Sequence, residues 1–145
     1  MFYWPVRVYY EDTDSGGVVY YANYLKYLER ARSEWLRSRG VEQDALARGA
    51  GVIFAVRALS IDYLRPARFN DLLQAGAAVD ELRAASLVFR QRVVRATDAA
   101  VAAATAPGAA DELCSARVEI VCVDAAGLRP RRIPEFLMTE MERER

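Results

Sequence analysis

The sequence predicts an α+β domain in which an antiparallel sheet wraps one long helix, and two observations carry that prediction. Apolar residues recur at helical spacing over residues 21–39, and at strand spacing near the N-terminus and repeatedly after residue 52. The helix has an apolar stripe to bury, and only the sheet offers enough area to cover it. A length of 145 residues, 53% of them hydrophobic and 28% charged, suits one globular domain spanning residues 1–145.

The elements follow in order. In Pro5 to Glu11, Val6, Val8 and Tyr10 alternate with Arg7, Tyr9 and Glu11, the period of a two-faced strand. Asp12 to Gly17 breaks the alternation with turn residues. From Tyr21 to Arg39, the residues Tyr24, Leu28, Ala31 and Trp35 form one helical stripe. Lys26, Glu29, Arg30, Ser33, Glu34 and Arg37 lie opposite, with Arg30 and Glu34 spaced for an ion pair. Asn23 fits a helix cap and Gly40 the position just past the helix end. A short helix is expected over Glu42 to Arg48.

Strands are then expected over Val52 to Leu64, Leu72 to Leu82 and Ser86 to Arg95, the last with Leu87, Phe89 and Val93 on one face. Another follows from the alternation of Ala116, Val118, Ile120 and Cys122 with Arg117, Glu119 and Val121. Between these last two strands, the alanine-rich stretch Ala99 to Ala110 is expected to form a long hairpin, although alanine favours helix. Glu135 to Arg145 reads as a frayed terminal helix. Tyr27 and Trp35 read as core residues.

Composition narrows the chemistry. The chain has no histidine, which removes Ser-His-Asp and Cys-His centres and imidazole acid–base catalysis. Twenty basic residues balance twenty acidic ones, so no global charge draws it to nucleic acid or anionic lipid. Cys114 and Cys122 are too few for a disulfide framework or a four-thiolate metal site and read as packing residues. No apolar run reaches the ~20 residues of a membrane span, and a reduced, cytoplasmic setting is expected.

Functional atoms concentrate in Tyr10-Glu11-Asp12-Thr13-Asp14-Ser15-Gly16-Gly17, just before the helix. Such a run is often only a solvated turn. Here, however, it sets three carboxylates and two glycines beside the unpaired N–H groups and positive dipole end of a helix. That supplies a group to attack or to activate water, and donors for an oxyanion, which is what acyl transfer needs without histidine. A calcium loop does not fit, because the third ligand position is Gly16 and the twelfth is Asn23. No phosphate-binding glycine motif is present. No metal is expected.

The run from Tyr9 through Leu25, with Glu29-Arg30-Ala31-Arg32 and Trp35-Leu36, resembles the signature of hotdog-fold acyl-CoA thioesterases. It is similar to the 4-hydroxybenzoyl-CoA thioesterase branch and to the thioesterases associated with the Tol-Pal system. Asp62-Tyr63-Leu64-Arg65-Pro66-Ala67-Arg68, Asp71-Leu72-Leu73, Val123-Asp124 and Arg129 to Pro134 extend the resemblance over nearly the whole chain.

The resemblance implies a hotdog fold and hydrolysis of an acyl-CoA to free acid and CoA. It implies that Asp14 is the catalytic carboxylate, as nucleophile or as base toward water. The backbone N–H of Tyr21 would polarise the thioester carbonyl, and Gly16 and Gly17 would shape the turn. Tyr21 stands where Tol-Pal-associated members usually carry histidine, and Asn70 where aspartate is common. Arg83 and Arg129 match phosphate-contact positions, and Arg65 and Arg68 are further candidates for binding CoA phosphates. CoA is part of the substrate, so no separate cofactor is expected. A homodimer or homotetramer with active sites at subunit interfaces is implied, with an acyl carrier protein as a possible partner. The alternative is a non-catalytic acyl-carrier or envelope-complex binding module on the same fold.

Overall fold

The computed structural model describes residues 1–103, 107 and 111–144. Five antiparallel strands form one sheet: β1 (Phe2–Arg7), β2 (Val52–Tyr63), β3 (Leu72–Leu82), β4 (Ser86–Ala96) and β5 (Glu112–Asp124), in the spatial order β1-β3-β4-β5-β2. Helix α1 (Asn23–Ser38) packs on the β1, β3 and β4 side of this sheet, which is the α+β hotdog arrangement. Its stripe of Tyr24, Leu28, Ala31 and Trp35 is buried, as is Tyr27. Opposite it, Leu73, Ala75, Leu87, Phe89, Val93, Cys114 and Val118 supply the sheet side of the core.

Strand β1 starts and stops earlier than its alternation suggests. Val8 still packs in the core, but from Tyr10 to Asp12 the chain curls into a 3-10 turn, held by the Tyr9 N–H donating to Asp12 Oδ2 at 2.8 Å. Tyr10 is therefore not a strand residue; it stacks on Phe69 with ring centroids 3.8 Å apart. Pro5 is tolerated because β1 is an edge strand.

The helix begins at Asn23, not Tyr21, and Asn23 is not its cap. Its side-chain amide donates to the Asp12 carbonyl at 2.8 Å, so it ties the preceding turn to the helix. Gly40 closes the far end with φ 79°, its N–H donating to Arg37 O at 2.9 Å. Glu34 pairs with Arg37 and not with Arg30, whose guanidinium lies over the Tyr27 ring at 5.9 Å.

After α1, α2 (Gln43–Gly49) leads into β2. The expected long hairpin between β4 and β5 is corrected in part. The strands do pair, but the alanine-rich stretch opens with helix α3 (Asp98–Ala102), capped by Thr97 Oγ1 accepting from the Ala100 N–H. Residues 104–106 and 108–110 lie outside the described residues. Strand β5 begins at Glu112, four residues before the clear alternation. The terminal helix α4 (Glu135–Arg143) is packed, not frayed: Leu137 and Met141 are buried, and Glu144 just beyond it pairs with Arg39. Both cysteines are free and buried. No helix of the described residues is long and apolar enough to cross a membrane.

Candidate active site

The Asp12–Tyr20 segment folds back on itself. The Asp14 N–H donates to Val18 O at 2.9 Å, the Gly17 N–H to Asp14 O at 3.0 Å, and the Tyr20 N–H to Asp12 O at 2.9 Å. Gly17 takes φ 77°, a conformation that costs a side-chain-bearing residue ~1–2 kcal/mol. Gly16 leaves room for the carboxylate: a Cβ there would stand 3.2 Å from Asp14 Oδ1, which accepts the Gly16 N–H at 2.8 Å. Asp14 therefore sits at the tip of a tight hairpin, exposed on the single chain, with one carboxylate oxygen held by backbone.

A second segment lines up beside this hairpin. Val18 bridges to Arg68, and the Val19 N–H donates to Ala67 O at 2.9 Å. Asn70 turns the chain from there into β3 with φ 68°, the left-handed conformation that asparagine tolerates well. Arg65 and Arg68 are thus brought to the Asp14 end of the sheet.

Three side chains fix the entry to α1. Asn23 holds Asp12, the Tyr24 hydroxyl accepts the Ala67 N–H at 3.0 Å, and the Tyr63 hydroxyl donates to Tyr21 O at 2.9 Å. Among the described residues, the N–H groups of Tyr21 and Ala22 donate to no acceptor. They remain available to a ligand at the positive end of the helix. A depression of about 270 Å³ opens there, lined by Val19, Tyr21, Tyr24, Tyr63, Leu64, Arg65 and Pro66.

The remaining predicted residues lie elsewhere. Arg83 follows β3 at the end remote from Asn70, and the 11 residues of that strand separate the two ends by ~35 Å. Arg83 pairs with Glu81 at 2.8 Å and lies 3.6 Å from Glu119. Arg129 is at the same remote end, where its carbonyl accepts the Asp124 N–H at 2.8 Å. Within one protomer, the arginines therefore form two groups at opposite ends of the sheet.

Sequence reasoning missed the contacts that two residues make at the entry to α1. Tyr63 and Asn23 position the entry to α1; the strand and helix patterns contain them, but nothing local reveals a contact 42 residues distant. It also missed the hydrogen bond between Arg32 and Gln91. Gln91 falls on the inward face of β4 in step with Leu87, Phe89 and Val93, and that signal was available.

Residues 16–102 match the family model described as the thioesterase superfamily. The match begins two residues after Asp14. The chain is 42% identical over 142 residues to the acyl-CoA thioester hydrolase YbgC of Escherichia coli O157:H7, covering 98% of this chain and 96% of that one. It is 40% identical over 134 residues to the acyl-CoA thioesterase YbgC of Haemophilus influenzae, covering 92% and 89%.

Among solved structures, a probable thioesterase from Bartonella henselae superposes with TM-score 0.78 at 34% identity, over 91% of this chain and 98% of that one. A hypothetical protein, TT1821, from Thermus thermophilus superposes with TM-score 0.84 at 27% identity over all of both chains. Fold and matches together define the class as a hotdog-fold thioester hydrolase. The chain belongs to the thioesterase superfamily.

Proposed function

We propose that the chain hydrolyses acyl-CoA thioesters at the Asp14 hairpin. The observation that carries this is the pair of free Tyr21 and Ala22 N–H groups at a depression lined by Tyr21, in the segment that follows the hairpin bearing the exposed Asp14 carboxylate, which itself does not line the depression. The thioester carbonyl oxygen accepts the Tyr21 N–H, which stabilises the oxyanion as the tetrahedral intermediate forms. Asp14 either attacks the carbonyl carbon, expelling CoA thiolate and leaving an anhydride that water opens, or removes a proton from the attacking water. Gly16 and Gly17 hold the carboxylate in the hairpin. The names of the Escherichia and Haemophilus relatives support acyl-CoA as the substrate. The pantetheine thioester of an acyl carrier protein presents the same reacting bond.

A second copy completes the site in this reading. Strand β2 is an edge strand of 12 residues, paired on one side by β5. Its inward residues Val56, Leu59 and Tyr63 remain 48%, 43% and 44% exposed, a long apolar edge of the kind that seeks a partner. Antiparallel pairing of β2 with itself sets the Val52 end of one copy beside the Tyr63 end of the other. The Arg83 and Arg129 end of one copy then approaches the Asp14 end of its neighbour, where the CoA phosphates leave the site. Arg65 and Arg68 are already there.

The experiment is thiol release across short, long and aromatic acyl-CoAs, with oligomeric state measured on the same sample. Turnover on part of the panel by a dimer or tetramer supports the proposal. No turnover on any of them, with a bound acyl partner recovered, would instead support a binding module.

A further inference from the structure

An apolar row of β2 side chains runs along the inner face of the sheet, from Tyr63 in the depression at the candidate site to Phe54 in a separate cavity beside α1. Residues directly opposite in an antiparallel pair share a face. Phe54, Val56, Leu59, Ile61 and Tyr63 of β2 stand opposite Cys122, Ile120, Val118, Ala116 and Cys114, so all five face inward with the core. Beside Phe54 and Val56, α1 presents Glu29, Arg32 and Leu36 at i, i+3 and i+7. That cavity, of about 130 Å³, is lined by Leu36, Phe54, Leu87, Phe89 and Ile120, with Arg32 and Glu29 in its wall. A dry engineered cavity of about 150 Å³ holds benzene, so the end of an acyl group fits this one.

Arg32 is poorly matched to its surroundings. Its Nη1 donates to Gln91 Oε1 at 2.8 Å, and no carboxylate of the described residues pairs with it. Gln91 is buried, and Arg32 is the donor to its Oε1, while its Nε2 donates to Leu28 O at 3.0 Å and Gly76 O at 3.2 Å, a tie between helix and sheet. Glu29 is exposed, and its Oε1 is engaged by the Ser33 hydroxyl at 2.8 Å. Desolvation lowers the Arg32 pKa, with Glu29 opposing that shift. Arg32 is only partly buried, and the donors that Gln91 leaves unpaired match a carboxylate.

We propose that Arg32 reads the distal end of the acyl group and selects acyl thioesters whose chain ends in a carboxylate. This rests on the thioester-hydrolase reading for its location. Tyr21 and Arg32 lie eleven residues apart in sequence, so a thioester at the Tyr21 N–H stands ~16 Å along the helix direction from the guanidinium. The chain spans that distance over the apolar floor of β2, and its terminal carboxylate takes the N–H groups that Gln91 leaves free.

The test compares hexanoyl-, dodecanoyl- and hexadecanoyl-CoA with the CoA monoesters of the dicarboxylic acids of equal length, reading the ratio of kcat/KM within each pair. In the wild type, the ratio is expected to favour the diacid ester at one length at least. Arg32→Met is expected to lower that ratio about tenfold or more, while Arg32→Lys, which keeps the charge, loses less. A wild type that prefers no diacid ester at any length overturns the proposal without any variant. An unchanged ratio in Arg32→Met, with weakened self-association, overturns it too and assigns the guanidinium to a carboxylate of a second copy.

Calorimetric binding of the free diacids separates the two readings. Arg32-dependent binding without turnover on any ester removes the hydrolase and keeps the anion site. Turnover without diacid preference, and with no Arg32-dependent binding, does the reverse.

Discussion

The Tyr63 hydroxyl donates to the Tyr21 carbonyl oxygen at 2.9 Å, which ties the last residue of β2 to the turn that leads into α1. The Tyr63 ring also stands edge-on to Tyr21 and Tyr24, with centroids 6.2 and 5.4 Å away. The orientation of the Tyr21–Ala22 peptide, which carries the free Ala22 N–H, thus depends on a residue from the sheet as well as on the helix.

Tyr63→Phe removes the hydroxyl and keeps the ring packing. One neutral hydrogen bond is worth ~1 kcal/mol, so kcat should fall about fivefold with KM nearly unchanged. A purely structural role would instead lower the melting temperature and leave kcat intact. Steady-state kinetics and a thermal melt on the same preparation separate the two.

The two glycines of the hairpin should behave differently. Gly17→Ala forces a Cβ onto φ 77° and should cost ~1–2 kcal/mol in urea unfolding. Gly16 has no positive φ, so Gly16→Ala should cost less stability; its Cβ, 3.2 Å from Asp14 Oδ1, should push the carboxylate aside and reduce turnover. Equal stability losses with equal activities would contradict this division.

Trp35 is fully buried at the centre of the α1 stripe, with its ring edge-on to Phe89 at 5.5 Å. Trp35→Ala should destabilise the fold by ~3–5 kcal/mol through lost burial and a residual cavity, read as a lower urea midpoint. A change below ~1 kcal/mol would show that the helix is not held by this stripe.

Alkaline pH should weaken the fold. Burial pushes the Cys114 thiol up from 9.0 to about 12, and raises the Tyr24 phenol as well. These acids keep their protons in the folded chain after the unfolded chain has lost them. Their contribution is therefore intact below pH 9 and is lost as pH rises from there toward about 12. Urea midpoints should be flat near neutrality and fall over that range, and Cys114→Ala should flatten the fall. A midpoint that rises with pH over the same range would reverse the sign assigned to these groups.

Much of the fold was legible because local periodicity determined it. The stripe Tyr24, Leu28, Ala31 and Trp35 marked α1, and β3 came out with the bounds that its turn signals suggested. The errors arose where tertiary bonds override local pattern. Tyr10 continued the alternation of β1, yet the bond from Tyr9 to Asp12 turned the chain; Asn23 resembled a cap, yet its amide found Asp12 O. Of the site, the Asp14 hairpin was legible through its glycines and its place before the helix. Arg83 and Arg65 could not be told apart from sequence, because only strand order shows that they occupy opposite ends of the sheet. The Arg32–Gln91 contact spans 59 residues and leaves no local trace.

The central claim is that the Asp14 carboxylate does the chemistry beside the Tyr21 N–H, and Asp14→Asn tests it most directly. Asparagine can still accept the Gly16 N–H, and position 14 is exposed, so folding and acyl-CoA binding should persist. Thiol release at saturating acyl-CoA should drop by about 10² or more. A folded Asp14→Asn enzyme that releases CoA at the wild-type rate would contradict the account.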